Sequence, residues 1–568
     1  MAKPSRPLPE IAQMFAQAIE CIRQGRLDEA ERLAARIRKL LPDRHEGVHL
    51  LGVVKLQRGH ASAGLPLIEA ALKINPHASD AWSNRGLALG MLGRDSEAME
   101  SFARSLELRA DDPDMLNGRG RLLLKLHRPT EALADFEQAA ALSPGHFGAL
   151  TNRGNALAAL GRLDEALAQY DALLAHDPAH PSLHFNRGCA LASLARHAEA
   201  IAAFDRALAR RPHHVAAHLD RGVALQALNR HAEALESFAQ VLALDAGNVD
   251  AQHNAALSRL TLGDYREGFK QYEARFARSG MPPHRRLGKP LWLGEFPPRR
   301  KTILLHAEQG LGDTIQLARY VPLVARAGAS VVLEAPDELT GLLGRLEGVA
   351  AVVARGAPLP GFDLQCPMGS LPLALATELA TIPAEIPYLT ASAERIAQWR
   401  PRLEALPHPR VAFVWSGRAS HPNDRNRSLP LARLAPLLEM EPVSFVSLQR
   451  ELSDPDAAML AGISRVTPIG TELRDFDDTA AVLGLCDLVI TVDTAVAHLA
   501  GALGRPTWIL LPFAPDWRWL LERTDSPWYS SARLYRQPAV GDWEGVVARV
   551  REDLAEWCIK GEMLLNEP

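Results

Sequence analysis

A 34-residue repeat is the feature that most constrains the first half of the chain. Glycine recurs at this spacing, and a small residue and then an aromatic ring follow in the same order. The three columns are Gly52, Gly86, Gly120, Gly154, Gly188 and Gly222, then Ala98, Ala132, Ala166, Ala200 and Ala234, and then Phe102, Phe136, Tyr170, Phe204 and Phe238. A fixed period of this length predicts stacked copies of one small unit instead of a single globular core.

The residue types in these columns suit a pair of packed helices. A small residue in the first helix lets the second cross closely, and the ring fills the gap between units. Prolines stop the second helix, at Pro42, Pro76, Pro144, Pro178 and Pro212. The pattern resembles the tetratricopeptide repeat family, which implies an α-solenoid, a tetratricopeptide superhelix of about eight helix pairs over residues 11–280.

A column of mainly asparagine side chains lies two residues before the glycines. We call it the asparagine column, and its positions are Asn84, Gly118, Asn152, Asn186, Asp220 and Asn254. Stacked side chains there are expected in the concave groove, where amides can bond the backbone of an extended peptide. The column resembles the asparagine ladder of eukaryotic O-GlcNAc transferases, which implies a protein acceptor in the groove. The alternative, that asparagine is simply a common polar choice there, stays open.

The periodicity changes after residue 280. A Pro- and Arg-rich linker is predicted over residues 281–299, and short apolar runs then alternate with helices. These runs are TILLHA, SVVLEA, VAAVVA and FDLQCP in one segment, and RVAFVWSG, SFVSLQ, SRVTPIG, DLVITVD and PTWILLP in the next. Continuous apolar runs interleaved with helices predict parallel sheets covered on both faces. We therefore predict two facing Rossmann-like α/β domains, residues 300–395 and 396–568, with a ligand cleft between them.

Sheets of this kind bind ligands in the loops beyond the carboxyl ends of their strands. In the first such loop, Gln309, Gly310 and Gly312 form a tight path that leads to Asp313 at the start of a helix. Asp313 either faces the cleft or caps the helix, and the pattern alone does not decide between the two.

A second loop leaves its strand at Ser416 and Gly417. A dense group of hydrogen-bond donors follows, and it includes Arg418 and Arg427. Donors next to a small-residue turn suit phosphate or sugar hydroxyl groups. A merely solvated loop is the alternative.

A third loop follows the run DLVITVD. A helix is predicted to begin near Asp493, Thr494 and Ala495, with His498 one turn later. Free backbone N–H groups, the Thr494 hydroxyl and His498 would then face one point, which predicts a diphosphate site. The structural alternatives are a helix N-cap for Asp493 and a packed histidine for His498.

Four segments together resemble the lipopolysaccharide heptosyltransferases, a glycosyltransferase family. They are EQGLGDTIQLARY, WSGRASHPNDRNRSL, SFVSLQ and DLVITVDTAVAHLAGALGRP. The resemblance extends to a bacterial branch of the family with tetratricopeptide repeats at the N-terminus. It implies the GT-B fold, with an acceptor-side domain over residues 300–395 and a donor-binding domain over residues 396–568. It also implies catalysis without a bound metal.

The resemblance also assigns roles to the loops. It makes Asp313 the general base for the acceptor hydroxyl, in a loop with Gln309, Gly310 and Gly312. Donor binding falls to Ser416, Gly417, Arg427, Gln449, Asp493, Thr494, Ala495 and His498. Gln449 stands near the position of a nucleoside-binding carboxylate in the lipopolysaccharide enzymes, which leaves the nucleotide base open.

The remaining expectations concern metals, location and class. Asp475, Asp477 and Asp478 resemble a metal-binding DxD, but Asp478 with Thr479 is expected to start a helix, so we predict no metal. We predict no cofactor besides the nucleotide-sugar co-substrate. The five cysteines are scattered without a CxxC, and no apolar run is long enough for a membrane span, which favours a cytoplasmic location. A net charge of −4 points to neither nucleic acid nor membrane as a partner.

These features favour a glycosyltransferase that acts on a protein acceptor, because a peptide groove joined to a transferase raises the effective acceptor concentration. Bacterial proteins of similar plan glycosylate flagellin, so a flagellin-like acceptor is one hypothesis. A saccharide or lipid-linked acceptor is an alternative. A different class of function, a non-catalytic scaffold with a vestigial transferase domain, also stays open.

Overall fold

A computed structural model describes residues 8–278, 285, 287–421 and 423–565 of the 568-residue chain. The chain divides into two compact units, Met1–Ala217 and His218–Pro568. The predicted fold class is confirmed, since a helical array is followed by an α/β region with parallel sheets. Residues 281–284 and 286 of the predicted linker lie outside the described residues.

The first unit consists of paired helices. Each helix packs against the next along the chain. The helices are α1 (Leu8–Arg23), α2 (Leu27–Leu40), α3 (His45–Gln57), α4 (Ala61–Ile74), α5 (Ser79–Met91), α6 (Asp95–Leu108), α7 (Pro113–Lys125), α8 (Pro129–Leu142), α9 (Phe147–Ala159), α10 (Leu163–His176), α11 (Pro181–Ser193) and α12 (His197–Arg210).

The glycine and aromatic columns meet inside these helix pairs. A Cβ atom added to Gly86 would lie 2.9 Å from the Phe102 ring, and one added to Gly154 would lie 2.5 Å from the Tyr170 ring. Both rings are almost fully buried. Glycine is therefore required because the ring of the second helix occupies the space of a side chain on the first.

Four more helices complete the array, and the first of them crosses the boundary of the second unit at His218. They are α13 (Val215–Ala227), α14 (His231–Leu244), α15 (Val249–Thr261) and α16 (Tyr265–Tyr272). Residues 8–272 thus hold sixteen helices, which is the eight pairs expected from the period. The last helices belong to the same compact unit as the α/β region.

A four-stranded parallel sheet forms the first α/β domain, in the order β3-β2-β1-β4. Its strands are β1 (Thr302–His306), β2 (Ser330–Ala335), β3 (Val349–Ala354) and β4 (Leu364–Pro367). The helices of this part are α17 (Leu311–Leu317), α18 (Val321–Arg326), α19 (Asp337–Leu343) and α20 (Leu371–Ala374). Within the predicted linker, the backbone N–H of Trp292 donates to the carbonyl of Gln365 in β4, so this segment extends the domain.

A six-stranded parallel sheet forms the second α/β domain, in the order β10-β9-β8-β5-β6-β7. Its strands are β5 (Arg410–Val414), β6 (Ser444–Ser447), β7 (Val466–Pro468), β8 (Leu488–Val492), β9 (Thr507–Leu511) and β10 (Ala532–Arg536). The helices are α21 (Ala393–Glu404), α22 (Asp424–Arg427), α23 (Ala435–Leu438), α24 (Asp454–Gly462), α25 (Phe476–Gly484), α26 (Ala495–Ala502) and α27 (Trp543–Leu565).

The nine predicted apolar runs all form parallel strands, and the tenth strand, β10, was not predicted. Helix α21 begins three residues before the predicted boundary at residue 396 and packs against α25 of the second domain. The predicted boundary at residue 396 therefore falls inside α21. The two sheets place the carboxyl ends of β1, β5, β6, β8 and β9 around one cleft, which is where the site is found.

Candidate functional site

A cleft of about 610 Å³ lies between the two α/β domains of the second unit. It is lined by loops that follow parallel strands, as the fold type predicts. Most of the predicted site residues line it, namely Gly310, Gly312, Asp313, Ser416, Gly417, Arg427, Gln449, Asp493, Thr494, Ala495 and His498. The volume suits a ligand of the size of a nucleotide.

The amino end of α26 faces this cleft. Thr494 is the N-cap of the helix, and its side chain makes no capping hydrogen bond. The Thr494 hydroxyl lies 3.2 Å from the hydroxyl of Thr491, which anchors the turn. The first N–H groups of an uncapped helix carry partial positive charge and need an acceptor, so this end can receive an anion.

Asp493 precedes this helix and is not its N-cap, which settles the structural alternative against a capping role. Its backbone carbonyl accepts a 2.8 Å hydrogen bond from Nη1 of Arg427. Desolvation in the cleft and the nearby charge of Asp516 raise the pKa of the Asp493 carboxyl to about 7. This carboxyl can therefore change charge near neutral pH.

Arg427, at the end of α22, provides a cation at the same edge. Its side chain is 14% exposed, and it packs over Gly417 so closely that a Cβ atom there would lie 2.5 Å from Nη2. Gly417 therefore lets the guanidinium reach the cleft. Arg418 also lines the cleft but is exposed. The Nε atom of Arg427 lies 3.5 Å from a carboxylate oxygen of Asp424. A half-buried guanidinium at the edge of a cleft is well suited to bind phosphate oxygens.

His498 is buried one turn into α26. Its Nδ1 lies 3.0 Å from the hydroxyl of Tyr529, and its ring stacks on Trp519 at a centroid distance of 5.4 Å. Burial, with the positive charges of Arg518 and Arg319 nearby, holds the pKa of His498 well below its ordinary value. The ring is therefore neutral at physiological pH, and it can serve the cleft as a hydrogen-bond donor or acceptor but not as a cation.

Asp313 enters the cleft from the opposite domain, in the first turn of α17. Gly310 is the N-cap of this helix, and the Asp313 side chain completes its capping box, so Asp313 both contributes to the cap and lines the cleft. One carboxylate oxygen accepts a 2.9 Å hydrogen bond from the backbone N–H of Gly310, and the other is bonded to Arg518. The side chain keeps 26% of its surface exposed. Each oxygen thus retains a lone pair for a further hydrogen bond.

Gly312 lies where α17 and α26 face each other. A Cβ atom on Gly312 would lie 2.8 Å from the His498 ring and 3.4 Å from the Cα of Ala495. Neither Gly310 nor Gly312 has a positive φ. Close helix packing, and not the tight backbone path inferred from the sequence, is therefore the reason for glycine at position 312.

Arg518 is a site residue that sequence reasoning missed. Its guanidinium donates to Asp313 and Gln316 of the first domain and, at 2.8 Å, to Asp516 of its own loop. Burial lowers the pKa of Arg518, but the charges of Asp516 and Asp313 outweigh burial and raise it above its ordinary value. The available signal was its position shortly after the run PTWILLP, at the same sheet edge as the other loops.

Gln449 has a different environment from the one expected of a donor-binding residue. Its side-chain oxygen accepts from the backbone N–H groups of Trp415 and Ser416, and its nitrogen donates to the carbonyls of Ser416 and Glu451. The amide therefore ties the loops after β5 and β6 together and shapes the cleft wall. Direct donor binding by this amide stays a prediction.

Two further expectations are resolved by position. Gln309 does not line the cleft, and its side chain donates instead to the hydroxyl of Tyr272.

In the DxD segment, Asp475 is the N-cap of α25, one turn earlier than the predicted start at Asp478. Asp478 is buried and accepts from the Trp399 indole and from Arg474. Among the described residues, no group of three or more His, Cys, Asp or Glu side chains is placed to hold a metal ion.

The asparagine column forms lateral hydrogen bonds in the first unit. Asn152 donates to Asn117 at 2.8 Å, and Asn186 donates to Asn155 at 2.8 Å. Asn84 instead lies 3.1 Å from a ring nitrogen of His49. All three column residues are half-buried, so amide groups of successive repeats are linked along one surface. Asn254 belongs to the second unit, where its backbone carbonyl accepts from Gln226.

Comparison with known proteins agrees with the two-part architecture. A family model described as tetratricopeptide repeat matches residues 49–113, 117–181 and 185–249. A model described as glycosyltransferase family 9 (heptosyltransferase) matches residues 472–510, the segment that contains α25, β8 and α26. In the part of the chain that the structure describes, no helix is both long and apolar enough to cross a membrane.

Individual relatives cover part of the chain. Protein FlbA of Caulobacter vibrioides is 28% identical over 331 residues, which are 54% of this chain and 55% of FlbA. The chain thus spans about half the length of that relative. Protein MJ0572 of Methanocaldococcus jannaschii is 42% identical over 55 residues, 10% of this chain and 64% of its own.

Among solved structures, a tetratricopeptide repeat protein from Parabacteroides merdae matches with 17% identity and a TM-score of 0.35. The match covers 44% of this chain and 98% of that one, and at this score it carries no further argument. The family matches and the two parallel sheets support the resemblance drawn from the motifs: the chain resembles a tetratricopeptide-repeat glycosyltransferase with a heptosyltransferase-like domain.

Proposed function

We propose that this protein transfers a sugar from a nucleotide-sugar donor to a hydroxyl group of a protein acceptor held by its repeats. The observation that carries the proposal is the arrangement of the cleft. Asp313 enters from one α/β domain, and the uncapped end of α26 and Arg427 enter from the other. A base thus faces an anion site, as direct displacement of a diphosphate requires.

The proposed reaction uses these groups in one displacement. Asp313 takes the proton of the acceptor hydroxyl, and the acceptor oxygen forms a bond to the anomeric carbon of the sugar. The bond between that carbon and the diphosphate oxygen breaks, and the nucleoside diphosphate leaves with the electron pair. The N–H groups at the start of α26 and the Arg427 guanidinium stabilise the negative charge that develops on the leaving group.

The charges of the side chains in the cleft are consistent with these roles in the proposed reaction. Burial keeps His498 neutral, and two carboxylates engage Arg518, so Arg427 is the guanidinium that serves the diphosphate. Arg518 also keeps a fixed orientation, because it is bonded to Asp313, Gln316 and Asp516. It therefore holds the carboxylate of Asp313 toward the reaction centre.

The repeats supply the reason for a protein acceptor. Tetratricopeptide arrays are protein-binding modules, and the linked amides of Asn117, Asn152, Asn155 and Asn186 offer N–H groups and oxygens to an extended chain. An acceptor captured by the repeats is presented to the transferase at high effective concentration. A flagellin-like protein is one candidate acceptor, by resemblance to bacterial proteins of similar plan.

Two measurements test the proposal. In the first, the purified protein is screened for thermal stabilisation by UDP-, GDP-, ADP- and CMP-sugars, where a donor that binds raises the melting temperature. In the second, the stabilising donor is incubated with candidate acceptors, and the acceptor mass is expected to rise by one sugar residue. If no donor stabilises the protein and no acceptor gains mass, the scaffold alternative replaces the transferase.

A control separates protein acceptors from other acceptors. The double variant Asn152→Ala and Asn186→Ala should reduce transfer to an intact protein by raising its KM, and it should leave transfer to a short hydroxyl-containing fragment unchanged. Equal loss for both acceptors would contradict a role of the asparagine column in acceptor capture.

A further inference from the structure

The last helix of the repeat array, α16, contacts both loops that carry the Asp313–Arg518 pair. One loop runs from Glu308 to Asp313 and follows β1, and the other runs from Pro512 to Trp519 and follows β9. Both loops and α16 belong to the same compact unit. A single helix of the array therefore touches the first and the second α/β domain at once.

The first loop is held by side chains at the end of α16. The side-chain nitrogen of Gln309 donates to the hydroxyl of Tyr272 over 2.7 Å. The Tyr272 ring is buried, and it stacks on His253 of α15 at a centroid distance of 5.6 Å. The hydroxyl is thus fixed in position by packing on its ring, and it fixes Gln309 four residues before Asp313.

Arg275 strengthens the same contact. This guanidinium is 1% exposed and donates to Glu308 at 3.0 Å and to Ser370 at 2.8 Å. Glu308 in turn accepts from the backbone N–H of Gly369 at 3.0 Å. The start of the loop is therefore clamped between the repeat array and the first α/β domain by buried charged groups, which leave little freedom of movement.

The second loop is held by the aromatic face of α16. The ring of Phe269 packs edge-on against Trp517 at 5.5 Å, and Tyr265 packs edge-on against the same indole at 6.0 Å. Asn229, in the turn before α14, donates to the carbonyl of Phe513 at 2.6 Å. Trp517 lies next to Arg518, whose guanidinium lies 4.4 Å from the centre of the Trp517 ring.

We infer that α16 is a positioning element of the active site, and that Tyr272 positions Asp313 through Gln309. Tyr272 touches neither the cleft nor a reacting atom, so its contribution is the placement of the loop. The catalytic role of Tyr272 in this inference rests on the proposed function. The hydrogen bond between Tyr272 and Gln309 should also restrict the motion of the loop from Glu308 to Asp313, whether or not the protein catalyses a reaction.

Hydrogen exchange of the full-length protein tests the contact directly. The variant Tyr272→Phe keeps the ring and removes the hydroxyl, so Gln309 loses its acceptor. We expect the amides of residues 308–314 to exchange about threefold to tenfold faster than in the wild type, which is the effect of one lost hydrogen bond. The matched control is Lys270→Ala on the same helix, where the side chain is 70% exposed and exchange should not change.

A second variant approaches the contact from the loop. Gln309→Ala should accelerate exchange of the same segment, and the double variant with Tyr272→Phe should exchange no faster than either single variant, because both remove one shared bond. Additive effects, or unchanged exchange at residues 308–314 in both single variants, would overturn the inference. Should Tyr272→Phe fail to fold, the exchange of residues 308–314 in Gln309→Ala alone tests the inference, and unchanged exchange would overturn it.

Activity then separates this inference from the proposed function. If the wild type transfers sugar, Tyr272→Phe should lower kcat about tenfold and leave the donor KM within about twofold, since the donor groups lie on the other domain. Equal kcat in the variant would contradict positioning of Asp313. If the wild type transfers no sugar while local exchange changes as expected, the proposed function fails and the loop contact stands.

Discussion

Asp313 stands across the cleft from the proposed anion site, with one oxygen bonded to Arg518 and one to the Gly310 N–H. We expect Asp313→Asn to lower the rate of sugar transfer by about two to four orders of magnitude, because an amide cannot take the acceptor proton. Nucleoside diphosphate should bind at least as tightly, since a negative charge has left the cleft. Isothermal titration and a transfer assay measure the two effects. Asp337→Asn, on an exposed helix start of the same domain, is the control.

Arg427 is expected to bind the diphosphate from the other side of the cleft. Arg427→Gln should raise the Kd for nucleoside diphosphate by about tenfold or more, which is the loss expected for charge-assisted hydrogen bonds. The matched control is Arg425→Gln, an exposed arginine in the same short helix. Titration of both variants at two salt concentrations checks the result. Equal Kd values for the two variants would count against Arg427 as a phosphate ligand.

Asp493 is expected to make the binding of nucleoside diphosphate depend on pH. Its pKa is raised to about 7, so the carboxyl is largely protonated at pH 6 and charged at pH 8. A charged carboxylate repels the diphosphate, and the Kd should therefore rise as the pH rises through 7. Because the ligand itself titrates, the measured quantity is the ratio of the Kd values of wild type and Asp493→Asn. A ratio that stays constant from pH 6 to 8 would contradict an effect of Asp493 titration on binding.

At the scale of elements, α17 of the first α/β domain packs against α26 of the second. Gly312→Ala would place a methyl group 2.8 Å from the His498 ring. We expect a loss of about 1–3 kcal/mol in the free energy of unfolding, as for other overpacked sites. Gly341→Ala is the control, because nothing lies within 4 Å of an added Cβ in α19, and alanine favours the helix there. Denaturant unfolding of both variants distinguishes the two outcomes.

At the scale of the whole molecule, the repeat helices from His218 onward belong to the same compact unit as the α/β region. Fragment 287–565 lacks the helices that cover Trp517 and Trp528, whereas fragment 215–565 keeps them. We expect the shorter fragment to melt about 10 °C lower, as the loss of about 3 kcal/mol of aromatic burial implies. Scanning calorimetry compares the two fragments. Equal melting temperatures would mean that α13–α16 do not support the α/β region.

The sequence determined the helix pairs and the strands because their signals are local. A ring and a glycine 16 residues apart, such as Gly86 and Phe102, predict a close helix pair without reference to any other part of the chain. Apolar runs likewise predicted nine strands, whereas β10, with the sequence ARLYR, alternates polar and apolar residues at the sheet edge and was missed. Strand ends then indicated which loops would meet.

Only the tertiary structure decided the partners within the site. Arg518 and Asp313 are 205 residues apart, and they meet because β9 and β1 end at the same cleft, an outcome of strand order and domain packing that no local pattern encodes. The same reason explains why Gln309 bonds Tyr272 and does not line the cleft. Local periodicity thus specified the elements, and long-range packing specified which charged and polar groups face one another.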